Sequence, residues 1–114
     1  MPFINTKINV ELTKEKETTL KEKLGKAISL LPGKSESWLM LSFEDNCRMY
    51  FRGEKEEPMA FVEVKVYGGA NRAAFEELTA EITRILNHEL SIAPDHIYVK
   101  YEACEHWGWN GGNF

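Results

Sequence analysis

The residue best suited to chemistry is Pro2, because removal of Met1 would leave its nitrogen as a free secondary amine. A compact residue at the second position favours that removal. The free pKa of such an amine lies somewhat above the ~7.7–8.0 of a primary α-amino group. Burial in an apolar pocket, or a neighbouring cation, disfavours the charged form and lowers that value. A neutral amine held at the start of a rigid strand is then a competent base near pH 7. Taken alone, Pro2 is only the residue after the start, so the reading depends on its surroundings. His88, His96 and His106 are not spaced as metal ligands on one element, and His88 falls near a helix end where the helix dipole explains it. The two cysteines, Cys47 and Cys104, make neither a close metal-type pair nor a disulfide framework, and read as reduced, partly buried residues. The sequence contains no G-x-S-x-G, P-loop, G-x-G-x-x-G or H-E-x-x-H pattern. No metal and no cofactor is expected.

The elements that must hold Pro2 follow from periodicity. Residues 3–10 alternate, with Ile4, Thr6, Ile8 and Val10 on one side, which is strand spacing. Thr13 offers an N-cap, and Leu20, Leu24, Ala27, Ile28 and Leu31 recur at helical spacing until Pro32-Gly33 stops the run. Residues 38–43 predict a second strand, residues 49–51 a brief edge strand, and residues 59–66 the clearest strand in the chain. Gly68-Gly69 breaks it, Asn71 caps, and Phe75, Leu78, Ile82, Ile85 and Leu86 mark a second helix. After Pro94, residues 97–101 predict another strand. The tail from Cys104 to Phe114 holds two tryptophans and three glycines, so packing must order it if anything does.

An internal repeat ties these elements together. A shift of 58 residues lays Ile4 on Val62, Ile8 on Val66, the cap Thr13 on the cap Asn71, Leu24 on Ile82 and Leu41 on Val99. The expected fold is therefore α/β: duplicated β-α-β units, approximately residues 2–44 and 59–102, forming one four-stranded mixed sheet with two helices on one face. The helix-side face of the sheet is uniformly apolar. The other face carries Asn5, Lys7, Met40, Ser42, Phe61, Glu63, Lys65, Tyr98 and Lys100, a mixture that suits a wet interface between subunits. The 114 residues make one domain, 1–114, with 43% hydrophobic and 28% charged residues, ordinary for a soluble globular chain. A net charge of -4 provides no basic field for nucleic acid or an anionic membrane. No apolar run has the length of a membrane span, and the N-terminal residues lack the apolar core of a secretory signal, so a cytoplasmic location is expected.

Five short stretches carry a resemblance that runs the length of the chain: residues 2–6 (PFINT), 32–34 (PGK), 68–72 (GGANR), 94–98 (PDHIY) and 108–114 (GWNGGNF). In this order and spacing they resemble the macrophage migration inhibitory factor family of the tautomerase superfamily. The resemblance implies a homotrimer with active sites at subunit interfaces and a keto-enol tautomerase acting on phenylpyruvate-like 2-oxo acids. Pro2 then matches the catalytic proline, and Lys34 the lysine that holds the substrate carboxylate. At Lys34 a cation past a helix C-terminus is also ordinary. Val64 matches a residue whose backbone amide meets substrate, and Tyr98 the tyrosine that enters from a neighbouring subunit, although strand packing would equally explain it. Phe3, Trp38, Trp107 and Phe114 fall where the family lines its pocket, and Trp109 is read as an anchor for the tail. There are three departures. Lys100 stands where a vertebrate member has asparagine and adds a cation that bears on specificity. Met59-Ala60-Phe61-Val62 replaces the Cys-x-x-Cys of some members, so no thiol oxidoreductase activity is expected. Trp107 is bulkier than the family valine and narrows the expected pocket mouth. Two other readings remain open. One is a secreted, cytokine-like binding protein whose receptor no residue here identifies; the other is a hydratase, dehalogenase or decarboxylase using the same amine.

Overall fold

Pro2–Ile8 makes the first strand, β1, with Pro2, Ile4, Thr6 and Ile8 buried and Asn5 buried as well, and the computed structural model describes residues 1–69 and 71–114. Ala70, inside one of the family-like stretches, lies outside the described residues. Helix α1 (Lys14–Ala27) starts where the Thr13 hydroxyl accepts the Lys16 amide at 3.2 Å, with Glu15 and Glu17 in the first turn complementing the helix dipole. It tightens into a single 3₁₀ turn, Ile28–Leu30, before Gly33 reverses the chain at φ 77. Strand β2 (Met40–Glu44) follows, then β3 (Ala60–Tyr67). Helix α2 (Arg72–Leu90) is capped by the Asn71 side chain on the Ala74 amide at 3.1 Å and ends at Ser91, left-handed at φ 56. Strand β4 (Ile97–Cys104) and a small hairpin of β5 (Gly108–Trp109) and β6 (Gly112–Asn113) complete the chain.

The four long strands form one mixed sheet in the order β2-β1-β3-β4. Strands β1 and β2 are parallel, as are β3 and β4, while the central pair β1 and β3 is antiparallel. The duplication holds at the level of register: Ile4 faces Leu41 in the first unit, and Val62 faces Val99 in the second. Both helices cover one face. Ile4, Ile8, Val62 and Val64 from the sheet are fully buried against Leu20, Ile28, Leu78, Ile82 and Leu86 from the helix side. Burying each such side chain contributes on the order of 1.5–3 kcal/mol, which is why the helical stripes and strand alternation dominate the fold. Between the helices, Glu89 accepts hydrogen bonds from both Lys16 and Lys23. The opposite face is polar in the middle. There the Ser42 hydroxyl donates to the Asn5 side-chain oxygen at 2.6 Å, and the Asn5 amide donates to Glu44 at 2.7 Å.

Local expectations fail in three places, each for a stated reason. The strand expected over 38–43 begins only at Met40, because Glu36–Trp38 winds into a 3₁₀ turn that lifts Trp38 off the sheet. The edge strand expected over 49–51 does not form. Phe51 and Glu54 instead bond to each other across Arg52 and Gly53, both at positive φ, so the segment satisfies its own backbone. The first strand stops at Ile8, two residues short of the alternation, and the carbonyls of Ile8 and Val10 take the amides of Cys47 and Asn46. Among the described residues no helix is long and apolar enough to cross a membrane.

Candidate active site

Pro2 is buried at the first position of β1 and pairs with Val66, one residue before the end of β3. A central antiparallel strand thus fixes the head of the chain from one side. Met1 extends past the sheet, where its carbonyl accepts the Tyr67 amide at 3.1 Å. The α-amine of Met1 is held below its ordinary value, first by burial and then by the charge of Lys34 and a hydrogen bond with it. Lys34 reaches this point because the turn after α1 is closed by its own amide on the Leu31 carbonyl at 3.0 Å. Its ammonium donates to the Tyr67 carbonyl at 2.8 Å.

A cavity of about 770 Å³ opens beside this amine. Pro2, Phe3, Trp38, Met40, Lys65, Trp107 and Trp109 line it. The walls are tied to one another. Trp38 meets Trp109 edge-to-face at 4.9 Å, Trp109 stacks on Phe114 at 6.2 Å, and Phe114 lies 5.6 Å from Tyr67. The Phe114 amide donates to the Trp107 carbonyl at 3.1 Å, and Asn110 and Gly111 supply the positive-φ turn that folds the tail back. Such a site can keep an amine neutral, hold an anion beside it and exclude water with aromatic surface.

Of the expected site residues, Pro2, Phe3, Trp38 and Trp107 line the cavity, whereas Lys34 stands beside the amine at the Tyr67 carbonyl and Phe114 packs behind Trp109, both off the lining. Val64 is not among them. It pairs with Ile4 in the interior strand β3, fully buried on the helix side, where its amide belongs to the sheet ladder. The residue at the strand end is Tyr67, whose amide meets Met1. Sequence reasoning missed it, although it directly precedes the Gly68-Gly69 break. Trp109, expected as an anchor for the tail, also lines the cavity.

Tyr98 and Lys100 lie elsewhere on the same chain. Ala103 is the β4 residue in register with Val66, so Tyr98 and Lys100 sit about 16 Å and about 10 Å down the strand from the Pro2 row. Tyr98 is 58% exposed and packs edge-to-face on Phe51 at 5.3 Å, while Lys100 pairs with Glu102 at 3.4 Å. Neither reaches the amine of its own chain.

With that geometry in place, the comparisons are specific. The family model for macrophage migration inhibitory factor (MIF) matches residues 1–114. MIF2 of Leishmania major is 32% identical and superimposes with a TM-score of 0.92, over 100% of this chain and 97% of that one. The MIF homologue of Prochlorococcus marinus is also 32% identical, with a TM-score of 0.87 and 98% of each chain covered. A third structure, Pt0534 inactivated by 2-oxo-3-pentynoate, is 16% identical with a TM-score of 0.86 over 96% of this chain and 93% of that one, and shares the fold. No curated protein sequence matches this one. The duplicated β-α-β sheet, the end-to-end family match and the similar structures lead to one conclusion: this chain belongs to the macrophage migration inhibitory factor family and has its tautomerase fold.

Proposed function

We propose that this protein is a keto-enol tautomerase of phenylpyruvate-like 2-oxo acids, with the amine of Pro2, freed by loss of Met1, as base and then acid. One observation carries the reading: the head of β1 is buried beside Lys34 and opens on an aromatic cavity, an environment that already lowers the pKa of the amine found there. A neutral Pro2 nitrogen takes a proton from C3 of the keto acid. The electrons of that C–H bond become the C2–C3 double bond, and the carbonyl oxygen then receives the proton from the ammonium. Lys34 balances the substrate carboxylate, and Trp38, Trp107 and Trp109 pack against its ring. Loss of Met1 would do a second thing: it would remove the acceptor of the Tyr67 amide, leaving that N–H for the developing enolate oxygen.

Tyr98 and Lys100 would join this site only from a neighbouring copy, so the homotrimer is part of the proposal. Exposed Tyr98 on an edge strand agrees with it. That Pt0534, a protein of the same fold, is inactivated by a 2-oxo acid is in keeping with the substrate class. The decisive comparison is a Pro2→Gly variant, or a chain carrying one extra N-terminal residue, against the processed protein. The expected result is a loss of at least about a hundredfold in phenylpyruvate tautomerisation for the extended chain, whose Pro2 nitrogen is a non-basic amide, and a smaller loss for Pro2→Gly, which keeps a primary amine. An unchanged rate in either variant would overturn the mechanism.

A further inference from the structure

The Pro2 cavity holds a cation that the proposed chemistry leaves unused. Lys65 lies on β3 directly across from Phe3, on the sheet face away from the helices, and shares the cavity lining with Trp38, Trp107 and Trp109. Cross-strand partners of this kind hold their Cβ atoms about 4.5–5.5 Å apart, so the Lys65 stem runs beside the Phe3 ring. The side chain is partly buried, and among the described residues no carboxylate lies within 4.0 Å of its ammonium. The nearby acids are engaged elsewhere: Glu63 with Lys7 at 3.9 Å, and Glu102, its partner on β4, with Lys100 at 3.4 Å. Lys34 approaches the amine from the other side, through the turn after α1, and is anchored on the Tyr67 carbonyl. Lys65 is thus the cation on the cavity lining itself, while Lys34 lies beside the amine at the head of β1, outside that lining.

We propose that Lys65 is a specificity-determining residue that selects 2-oxo acids carrying a second anionic group at their far end. The inference rests on the Pro2 reading for the position of the first carboxylate. One carboxylate pairs with Lys34 next to the Pro2 nitrogen, the ring or chain lies over Phe3 against the tryptophans, and the distal acid meets Lys65. An aromatic wall accepts a neutral ring equally well, so the charge at the far end is what Lys65 adds. A charge-assisted hydrogen bond at a partly buried site contributes about tenfold in affinity or more.

The test compares phenylpyruvate with 4-carboxyphenylpyruvate, two acids that differ in that distal charge. The readout is the ratio of their kcat/KM values in the wild type, Lys65→Met and Lys65→Arg. The expected result is a preference of about tenfold for the diacid in the wild type, near equality in Lys65→Met, and recovery in Lys65→Arg, with all three proteins folded by circular dichroism. The same ratio in all three proteins overturns the proposal, as does a loss of preference in Lys65→Arg equal to that in Lys65→Met. Should the wild type turn over neither acid, the tautomerase reading itself fails. Calorimetric titration with the same two acids then decides Lys65 independently, because equal affinities for wild type and Lys65→Met refute it.

Discussion

Replacing Trp109 by alanine should unfasten one wall of the cavity while leaving the sheet intact. The β5–β6 hairpin has only two residues in each strand and packs mainly through side chains. Trp109 touches Trp38 at 4.9 Å on one side and Phe114 at 6.2 Å on the other. Each aromatic pair contributes about 0.5–1.5 kcal/mol, so the two together stabilise the closed tail by about 1–3 kcal/mol. Trp109 is 52% exposed, so lost burial adds little to that sum. Tail opening should therefore become about 5- to 150-fold more frequent at constant closing rate. Native-state hydrogen exchange reads this at the Phe114 amide, which is protected only while bonded to the Trp107 carbonyl. Core amides such as that of Val64 should keep their wild-type protection, since Val64 is fully buried in an interior strand far from the tail. Equal acceleration at Val64 and Phe114 would refute the idea that the tail is a separate unit. Unchanged exchange at Phe114 would refute the assignment of Trp109 as its fastener.

Four further outcomes follow from the geometry. Lys34→Met should raise the pKa of the amine at the head of β1, but only part of the way to its ordinary value, because burial is the larger cause of the depression. The base must be neutral, so the acid limb of the pH–rate profile should move to higher pH in the processed variant; a limb that stays in place or moves down rejects the pairing. Glu89 is held below its usual carboxyl range by the hydrogen bonds from Lys23 and then Lys16, so it stabilises the fold above its unfolded pKa near 4.5 and loses that effect as pH falls through the lower folded value. Urea melts of the wild type and Glu89→Gln should accordingly differ at pH 7 and converge toward pH 3, and a gap independent of pH would contradict the argument. Gly25→Ala should stabilise α1 by about 0.5–1 kcal/mol if Glu36 swings aside, because all the atoms its Cβ would meet, Oε2, Cδ and Cγ, belong to that one flexible side chain; a lower melting temperature would mean that Glu36 cannot move aside. Leu78→Ala, at a fully buried position, should cost about 2–5 kcal/mol and unfold the chain globally in the same urea assay, whereas a loss below about 1 kcal/mol would remove Leu78 from the core.

Much of the fold was legible before the structure. Alternation in β1 and β3, the helical stripes of Leu20 and Leu24 and of Leu78 and Ile82, and the caps Thr13 and Asn71 all depend on neighbours within a few residues. Repetition at a fixed shift then specified the pairing, and the observed registers of Ile4 with Leu41 and Val62 with Val99 repeat in that way. Where a turn competed with a weak apolar run, local reading failed. Phe51 bonds to Glu54 through a left-handed Arg52-Gly53 turn, and Trp38 leaves the strand pattern in a 3₁₀ turn.

The site divides in the same way. Sequence by itself determined that the chain is a duplicated β-α-β unit of this family and that a proline heads its first strand. Tertiary structure alone decided what surrounds that proline. The antiparallel register sets Pro2 beside Val66 and brings Tyr67, rather than Val64, to Met1; the turn after α1 delivers Lys34 to the Tyr67 carbonyl; the folded tail sets Trp109 against Trp38. The same register places Lys65 across from Phe3 on the cavity wall and leaves Tyr98 and Lys100 down the strand. The physical reason is range. Periodicity and capping are settled by contacts within a turn or a strand, whereas a cavity is made by side chains distant in sequence, whose meeting is fixed only when the sheet registers and the tail closes.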